Sequence, residues 1–182
     1  IDSGSKITGS AITKTSISGG YECSYTPGTA LGDGSHTVKV DASDHDGNKA
    51  TQKSVAFKVD TVPPSLVLTA PTDNLVTNKS ACTVSGTTND VTSSPVSVTI
   101  KLNSGAAESV TVQSDGSFSK ALTLVSGKNT ITVTATDSAG KSTSITRTVT
   151  LDTGAPVIHS VTISPNPVDA GQTYVISVEV TD

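Results

Sequence analysis

Residues 31–48 read LGDGSHTVKVDASDHDGN, and residues 124–141 read LVSGKNTITVTATDSAGK. Three pairs of matching residues are each 93 positions apart: Gly34 and Gly127, Asp44 and Asp137, Gly47 and Gly140. After a one-residue gap, two further pairs are 92 positions apart: Asp60 and Asp152, Pro64 and Pro156. A period near 92 residues is too long for a solenoid repeat, and it suits one β-sandwich domain.

The complete copy of the repeat contains seven strand-like runs separated by turn residues. They cover residues 65–70, 81–86, 96–102, 107–112, 117–124, 128–136 and 142–151. Alternation is clearest in 96–102 and 128–136, where apolar and hydroxyl-bearing residues fall on opposite faces of a strand. Seven short antiparallel strands in about 90 residues, without any helical period, predict an all-β sandwich of the immunoglobulin-like class.

The position of the repeats along the chain predicts three segments. Residues 1–62 match the later part of a domain, 63–154 form a complete domain of seven strands, and 155–182 match the first strands of a further domain. Proline occurs in both links, and it restricts itself and the preceding residue to extended backbone. We therefore expect tandem sandwiches arranged as a rod that bends little at each joint. Because the sequence has no methionine, we interpret it as a fragment or processed form of a longer rod.

The composition agrees with sheets whose outer faces carry hydroxyl groups. Ser and Thr account for 57 of the 182 residues, while 34% are hydrophobic and 15% charged. Sixteen acidic residues outnumber twelve scattered basic ones, so we expect no binding to nucleic acid. No apolar run approaches the roughly 20 residues of a membrane helix, so we expect no membrane insertion. Cys23 and Cys82 lie in different repeats, and we interpret them as separate thiols.

Several motifs resemble those of bacterial immunoglobulin-like repeats. One copy has Leu-x-Asp-Gly-x-His-Thr-Val-x-Val from residue 31, followed by Asp-x-x-Gly-Asn from 44 and Val-Asp-Thr-x-Pro-Pro from 59. The other has Asp-Gly-Ser-Phe from 115 and Asn-Thr-Ile-x-Val-x-Ala-Thr-Asp-x-x-Gly from 129. The resemblance implies tandem domains of adhesins, cell-wall enzymes, surface-layer proteins or phage tail proteins. It also implies an extracellular, cell-surface or virion location, but it assigns no ligand.

The sequence offers no set of residues arranged for catalysis. His36, His45 and His159 lie in different repeats or on a turn, and the chain has no GxSxG motif. We therefore predict that the chain is not an enzyme and needs no organic cofactor.

The sharpest candidate site is a calcium site on the turn formed by Asp41, Asp44, Asp46 and Asn48. These side chains supply several hard oxygens within one turn, as calcium requires. A second interpretation is that Asp44 closes a hairpin by accepting backbone N–H groups. The other copy keeps Asp137 and Gly140 but lacks the remaining oxygens, which favours the turn-closing interpretation.

We interpret the chain as a structural spacer or stalk in a bacterial surface protein or phage virion. Its partners are then the neighbouring immunoglobulin-like domains of the same longer chain. One alternative is an adhesion module that binds a surface glycan or protein, for which Tyr21 and Tyr25 are the aromatic candidates. Phe57, Phe118 and Tyr174 are interpreted as core residues. The other alternative is a subunit of an array or filament, in which strands of neighbouring chains complete the terminal segments.

Overall fold

The computed structural model describes all residues except Ser3 and Ser5. Within the described residues, regular structure consists of one 3₁₀ turn, Gly9–Ala11, and fourteen strands. The strands are β1 (Thr13–Ile17), β2 (Gly20–Ser24), β3 (Gly34–Val40), β4 (Lys53–Val59), β5 (Ser65–Ala70), β6 (Leu75–Thr77), β7 (Ala81–Asn89), β8 (Ser97–Leu102), β9 (Ala107–Val110), β10 (Ser117–Thr123), β11 (Gly127–Thr136), β12 (Ser142–Leu151), β13 (Val157–Ser164) and β14 (Val175–Thr181). Across this described part of the chain, no helix has the length and apolar character needed to cross a membrane.

The middle of the chain, β5 to β12, folds into two sheets. One has the strand order β10-β7-β5 and the other β6-β12-β11-β8-β9. Every predicted run lies on one of these strands, and the predicted all-β sandwich is confirmed. The predicted runs do not include β6, a three-residue strand that pairs in parallel with the end of β12. Such a short strand leaves too little alternation to be recognised from sequence.

Alternation along β11 builds the core of this middle domain. Ile131, Val133 and Ala135 are fully buried between the sheets and pack with Val84 and Phe118 of the opposite sheet. Burying a large aliphatic or aromatic side chain contributes about 1.5–3 kcal/mol. The intervening threonines of β11 face outward and meet hydroxyl groups of β12 across the sheet. The hydroxyl-rich composition therefore belongs to the outer face.

The flanking segments form three hairpins, β1–β2, β3–β4 and β13–β14. By the repeat, β3 and β4 correspond to β11 and β12, and Phe57 corresponds to the fully buried Val149. Phe57 is half-buried and lies 5.5 Å from the ring of His36. The interpretation of Tyr174 as a core residue is wrong, because it is 54% exposed. Within the described residues, no second sheet covers β13–β14.

A side-chain clamp at the start of β11 recurs at the start of β3. Asn129 donates to the carbonyl of Val125, four residues earlier, and accepts from the amide of Asn103. Asn103 has a left-handed backbone (φ 52°) and exchanges two hydrogen bonds with the backbone of Thr130. The central pair of this clamp is therefore two neutral amides.

In the first copy the same clamp is built from Asp2 and His36. His36 Nε2 lies 2.8 Å from the carbonyl oxygen of Gly32, and Nδ1 lies 2.9 Å from Asp2 Oδ2. Asp2 also has φ 52° and exchanges two hydrogen bonds with the backbone of Thr37. Both ring nitrogens thus face acceptors, so the hydrogen bond to Asp2 and the contact with Gly32 raise the pKa of His36. The same bond to His36, with the Thr37 N–H, lowers the pKa of Asp2.

We expect this charged clamp to make the stability of the first copy depend on pH. The contribution of His36 to stability is fully present below its unfolded pKa near 6.5 and is lost as pH rises through the raised pKa. The contribution of Asp2 is present above 3.8 and is lost as pH falls through its lowered pKa. We expect Asp2→Asn to lower the pKa of His36 in an NMR titration of the imidazole protons. An unchanged titration would show that Asp2 does not hold the proton.

Candidate functional site

Three aspartates meet at the junction between β4 and the middle domain. Asp60 follows β4, Asp90 follows β7, and Asp137 begins the turn between β11 and β12. Each offers a carboxylate oxygen, and the three oxygens lie within 4.8 Å of one another. Asp137 is buried, at 6% exposure, and the other two are half-buried. Among the described residues, this is the one group of three acids close enough to share a metal ion.

Each of these carboxylates uses one oxygen to hold its own turn. Asp90 Oδ1 accepts from the backbone N–H groups of Thr92 and Ser93, at 2.8 and 2.6 Å. Asp137 Oδ1 accepts from those of Ala139 and Lys141, at 2.8 and 2.9 Å. Asp60 Oδ1 accepts from the N–H of Val62 at 3.1 Å. The positions of all three carboxylates are therefore fixed by the backbone of the loops that carry them.

The second oxygens of Asp60 and Asp137 are buried without hydrogen bonds. Neither Oδ2 atom has a partner among the described residues. No lysine or arginine in the described chain forms an ion pair with any of the three acids, since the two salt bridges there involve His36 and Lys120. A buried anionic oxygen without a partner is costly, so these two atoms require an explanation.

The link between β4 and β5, residues 60–64, forms hydrogen bonds to both domains. Thr61 donates through its backbone N–H and its hydroxyl to the carboxylate of Asp33, both at 2.9 Å. The hydroxyl of Thr143 donates to the carbonyl oxygen of Pro64 at 2.6 Å. Lys58 of β4 donates to the carbonyl oxygen of Thr92 at 3.0 Å. The extended link is therefore held by hydrogen bonds as well as by proline.

Several groups keep Asp60 ionised. The neighbouring Ser93 hydroxyl, which lacks regular hydrogen-bond geometry to it, lowers the pKa of Asp60, as does the Val62 N–H. The positive charges of Lys141 and Lys58 act in the same direction from a distance. These neighbours therefore favour the charged form of Asp60.

The next junction repeats this arrangement. Asp152 is 92 residues after Asp60, and Asp182 is 92 residues after Asp90. Asp152 Oδ1 accepts from the N–H of Gly154 at 2.9 Å, just as Asp60 accepts from Val62. A Cβ atom added to Gly154 would lie 3.2 Å from Asp152 Oδ1 and 3.9 Å from Asp182 Oδ1. Two carboxylates therefore converge at the second junction as well.

The turn predicted as a calcium site has a different arrangement. Asp44 Oδ1 accepts from the N–H of Asn48 at 2.8 Å, and Oδ2 accepts from the Asn48 amide at 2.7 Å. The Asn48 side chain, followed by its backbone N–H, lowers the pKa of Asp44. Asp41 accepts from the side chain of Gln52, and Asp46 is exposed. Asp44 closes its turn as the second interpretation required, and calcium binding there stays a prediction.

The sequence did not predict the junction site, although two of its three aspartates, Asp60 and Asp137, are conspicuous positions of the repeat. Asp60 and Asp137 stand out in the sequence only as repeat positions, one in the link and one in a turn. The available signal was the 92-residue spacing of Asp90 and Asp182, each of which directly follows a strand, β7 and β14. What sequence could not supply was the approach of three loops from different parts of the chain.

The other candidate surfaces have simpler explanations. A groove of about 700 Å³ is lined by the apolar face of β3 and β4, including Val38, Val40 and Phe57. The repeat equivalents of these residues, Ile131, Val133 and Val149, are fully buried in the middle domain. The groove is therefore a core-type face rather than a shaped ligand site.

Tyr21 is 60% exposed and lies beneath the ammonium of Lys14, at 3.9 Å from the ring centroid. Both cysteines are free, Cys23 exposed and Cys82 buried.

Two family models match the chain, one to each copy of the repeat. Residues 3–61 match the bacterial Ig-like domain family, and residues 64–153 match glucodextranase, domain B. Together with the two-sheet fold, these matches establish the class of protein. The chain belongs to the bacterial immunoglobulin-like domains.

Individual proteins similar to the chain are larger or only distantly related. Bacillopeptidase F of Bacillus subtilis (strain 168) is 31% identical over 131 residues, which is 72% of this chain and 9% of that protein. The fibronectin(III)-like modules of Clostridium thermocellum CbhA superpose with a TM-score of 0.46 at 18% identity, covering 81% of this chain and 82% of theirs. A tetra-tandem repeat in the extending region of a large adhesion protein gives a TM-score of 0.43 at 27% identity, covering 94% of this chain and 48% of that one.

Proposed function

We propose that the chain is part of a non-catalytic structural spacer, a stalk of tandem immunoglobulin-like domains in a bacterial surface protein or phage virion. The observation that carries this proposal is that both junctions use the same short, bonded link. Asp60 and Asp152 each cap the residue two positions later, and proline follows in both links. A link that is copied along a chain favours a regular row of domains.

The fold supports a mechanical role. The middle domain is closed by long antiparallel ladders, of which β11–β12 has ten paired residues and β10–β7 seven. Its outer face carries hydroxyl groups rather than a dense charge or an aromatic platform. The similarity to bacillopeptidase F spans 9% of that protein, which supports domains that accompany other parts of a larger chain. An enzyme name on a similar protein therefore does not argue for catalysis here.

The spacer proposal is tested by measuring how narrowly the distances between domains are distributed. Small-angle X-ray scattering of the chain is expected to show an elongated monomer with a narrow distribution of distances between domains. Inserting four flexible residues between Val62 and Pro63 should widen that distribution, because the bonds of Thr61 and Pro64 then no longer fix one geometry. A scattering profile that does not change on insertion would contradict the proposal.

Two other results would favour the alternatives. Saturable binding of a surface glycan or protein to the wild-type chain would support adhesion in place of a passive stalk. A mass above that of the monomer at micromolar concentration would support assembly between chains, with the core-type face of β3–β4 as the region to examine. Either result would displace the spacer as the primary function.

A further inference from the structure

We propose that His36 is a pH-dependent latch on the link to the middle domain: its imidazolium holds the loop that binds the link, and its neutral ring releases that loop. The carbonyl oxygen of Gly32 in this loop lies 2.8 Å from His36 Nε2. The carboxylate of the next residue, Asp33, accepts both the backbone N–H and the hydroxyl of Thr61 in the link, each at 2.9 Å. The Gly32 carbonyl and the Asp33 nitrogen belong to one peptide unit, so a single rigid group connects the ring to the residue that grips the link.

The protonation of His36 decides whether its contact with Gly32 is attractive. An imidazolium ring donates from both nitrogens, here to Asp2 Oδ2 at 2.9 Å and to the Gly32 carbonyl oxygen. When one proton leaves, the negative charge of Asp2 keeps the remaining proton on Nδ1. Nε2 then presents a lone pair to a carbonyl oxygen 2.8 Å away, and the two atoms repel each other. Deprotonation therefore turns the contact that positions the loop into a repulsive one.

The groups around His36 set the direction of the response. Its side chain is 12% exposed, and among the described residues Asp2 is the charged side chain that acts on it. From β4 it meets the uncharged ring of Phe57, with ring centroids 5.5 Å apart, and the loop contributes the carboxylate of Asp33. The ammonium of Ile1 acts on Asp2, more weakly than the hydrogen bonds do. The hydrogen bond to Asp2 raises the pKa of His36, so the latch holds below pH 6.5 and opens as pH rises through the raised value.

The second copy has the same framework without the titrating group. Asn129 replaces His36 and donates a neutral amide hydrogen to the Val125 carbonyl oxygen at 2.7 Å, a bond that pH does not change. Ser126 stands at the position of Asp33, so the second loop has no carboxylate there with which to bind its link. The histidine and the link-binding aspartate thus occur together in the first copy and are replaced together in the second. This pairing supports a role at one joint rather than a general property of the clamp.

Opening of the latch has its effect at the joint. The link is also bonded to the middle domain, because the Pro64 carbonyl oxygen accepts from the hydroxyl of Thr143. Loss of the bonds from Asp33 would leave the link held at its Pro64 end but not at Thr61, so the distances between domains would be more widely distributed. This consequence for domain orientation rests on the spacer proposal, whereas the coupling of Thr61 to His36 does not.

A pH titration followed by NMR tests the coupling. We expect the methyl and carbon resonances of Thr61, which do not exchange with water, to titrate with the same midpoint as the imidazole protons of His36. In Asp2→Asn both midpoints should move to lower pH together, since the carboxylate that stabilises the imidazolium is gone. In Asp2→Asn/His36→Asn, which copies the amide pair of the second copy, the Thr61 response should disappear. His45→Gln and His159→Gln are the matched controls and should leave the Thr61 midpoint unchanged.

Three NMR results would overturn the latch. They are Thr61 resonances that do not titrate with His36, a Thr61 midpoint that stays in place when that of His36 moves in Asp2→Asn, and a Thr61 response that persists in the double variant. The first two do not depend on the double variant, so they decide the question even if that variant does not fold.

Small-angle X-ray scattering at about pH 5.5 and about pH 9, on either side of the His36 titration, separates the latch from the spacer proposal. We expect a wider distribution of distances between domains at the higher pH. Equally narrow distributions at both pH values would refute control of the link by His36 and leave the spacer intact. Equally wide distributions, with Thr61 still titrating, would leave its coupling to His36 intact and remove the stalk.

Discussion

Gly86→Ala is expected to destabilise the middle domain by about 3 kcal/mol or more. A Cβ atom at this position would lie 2.1 Å from the carbonyl oxygen of Val67 and 2.8 Å from Cζ of Phe118. Gly86 is buried in β7, the central strand of its sheet, with β5 on one side and β10 on the other. Neither β5 nor β10 can move away from Gly86 without breaking its hydrogen bonds to β7. Because whole domains are stable by only about 5–15 kcal/mol, a large part of the stability would be lost.

Urea unfolding, with amide hydrogen exchange to locate the effect in β5, β7 and β10, measures this loss. Thr87→Ala is the matched control, because Thr87 is the next residue of β7 and is exposed. Its effect should stay within about 1 kcal/mol. Repeating Gly86→Ala in a Phe118→Leu background identifies the source of the strain. We expect most of the cost to remain, since the shortest approach is to the backbone of Val67. A cost below 1 kcal/mol in the wild-type background would refute the close approach.

Asn129→Ala is expected to cost about 3 kcal/mol through lost hydrogen bonds rather than lost volume. Asn129 is fully buried and makes four hydrogen bonds. Its amide donates to the carbonyl oxygens of Val125 and Gly127, and its oxygen accepts from the Val125 N–H and from Asn103. Alanine would leave the backbone groups of Val125 and Gly127 without these partners. A typical intramolecular hydrogen bond contributes about 0.5–1.5 kcal/mol, so the loss of four gives a cost of about this size.

The same unfolding measurement, with Asn89→Ala as the control, separates this effect from a general cost of replacing asparagine. Asn89 is an exposed residue of β7, so its replacement should change the free energy of unfolding by no more than about 0.5 kcal/mol. Hydrogen exchange should show the largest loss of protection in the loop between β10 and β11. Equal effects of the two substitutions would indicate that the Asn129 clamp contributes nothing specific.

The clamp also shows where sequence comparison fails. Asn129 aligns with His36 at the common offset of 93, but nothing in that pair of residue types suggests a shared role. Their partners, Asn103 and Asp2, are 101 residues apart because the connections between partner and clamp differ in length. Only the fold reveals that both partners adopt φ 52° and bind the backbone in the same way. We therefore expect one copy to respond to pH through Asp2 and His36, whose counterparts in the other copy, Asn103 and Asn129, are neutral.

The class of fold, the repeat and most of the strands follow from local sequence patterns. Period-two alternation is a local property, and strict spacing of Gly, Asp and Pro survives in a linear comparison. The interpretation of Asp44 as the residue that closes its turn also came from the sequence, and Asp44 accepts the backbone N–H of Asn48. Which of the sixteen acidic residues lie close together depends on the folded arrangement of the strands. Asp60, Asp90 and Asp137 are 30 and 47 positions apart, and they meet because the ends of β4, β7 and β11 lie at one edge of the joint. Proximity of that kind depends on how sheets pack, which no local pattern records.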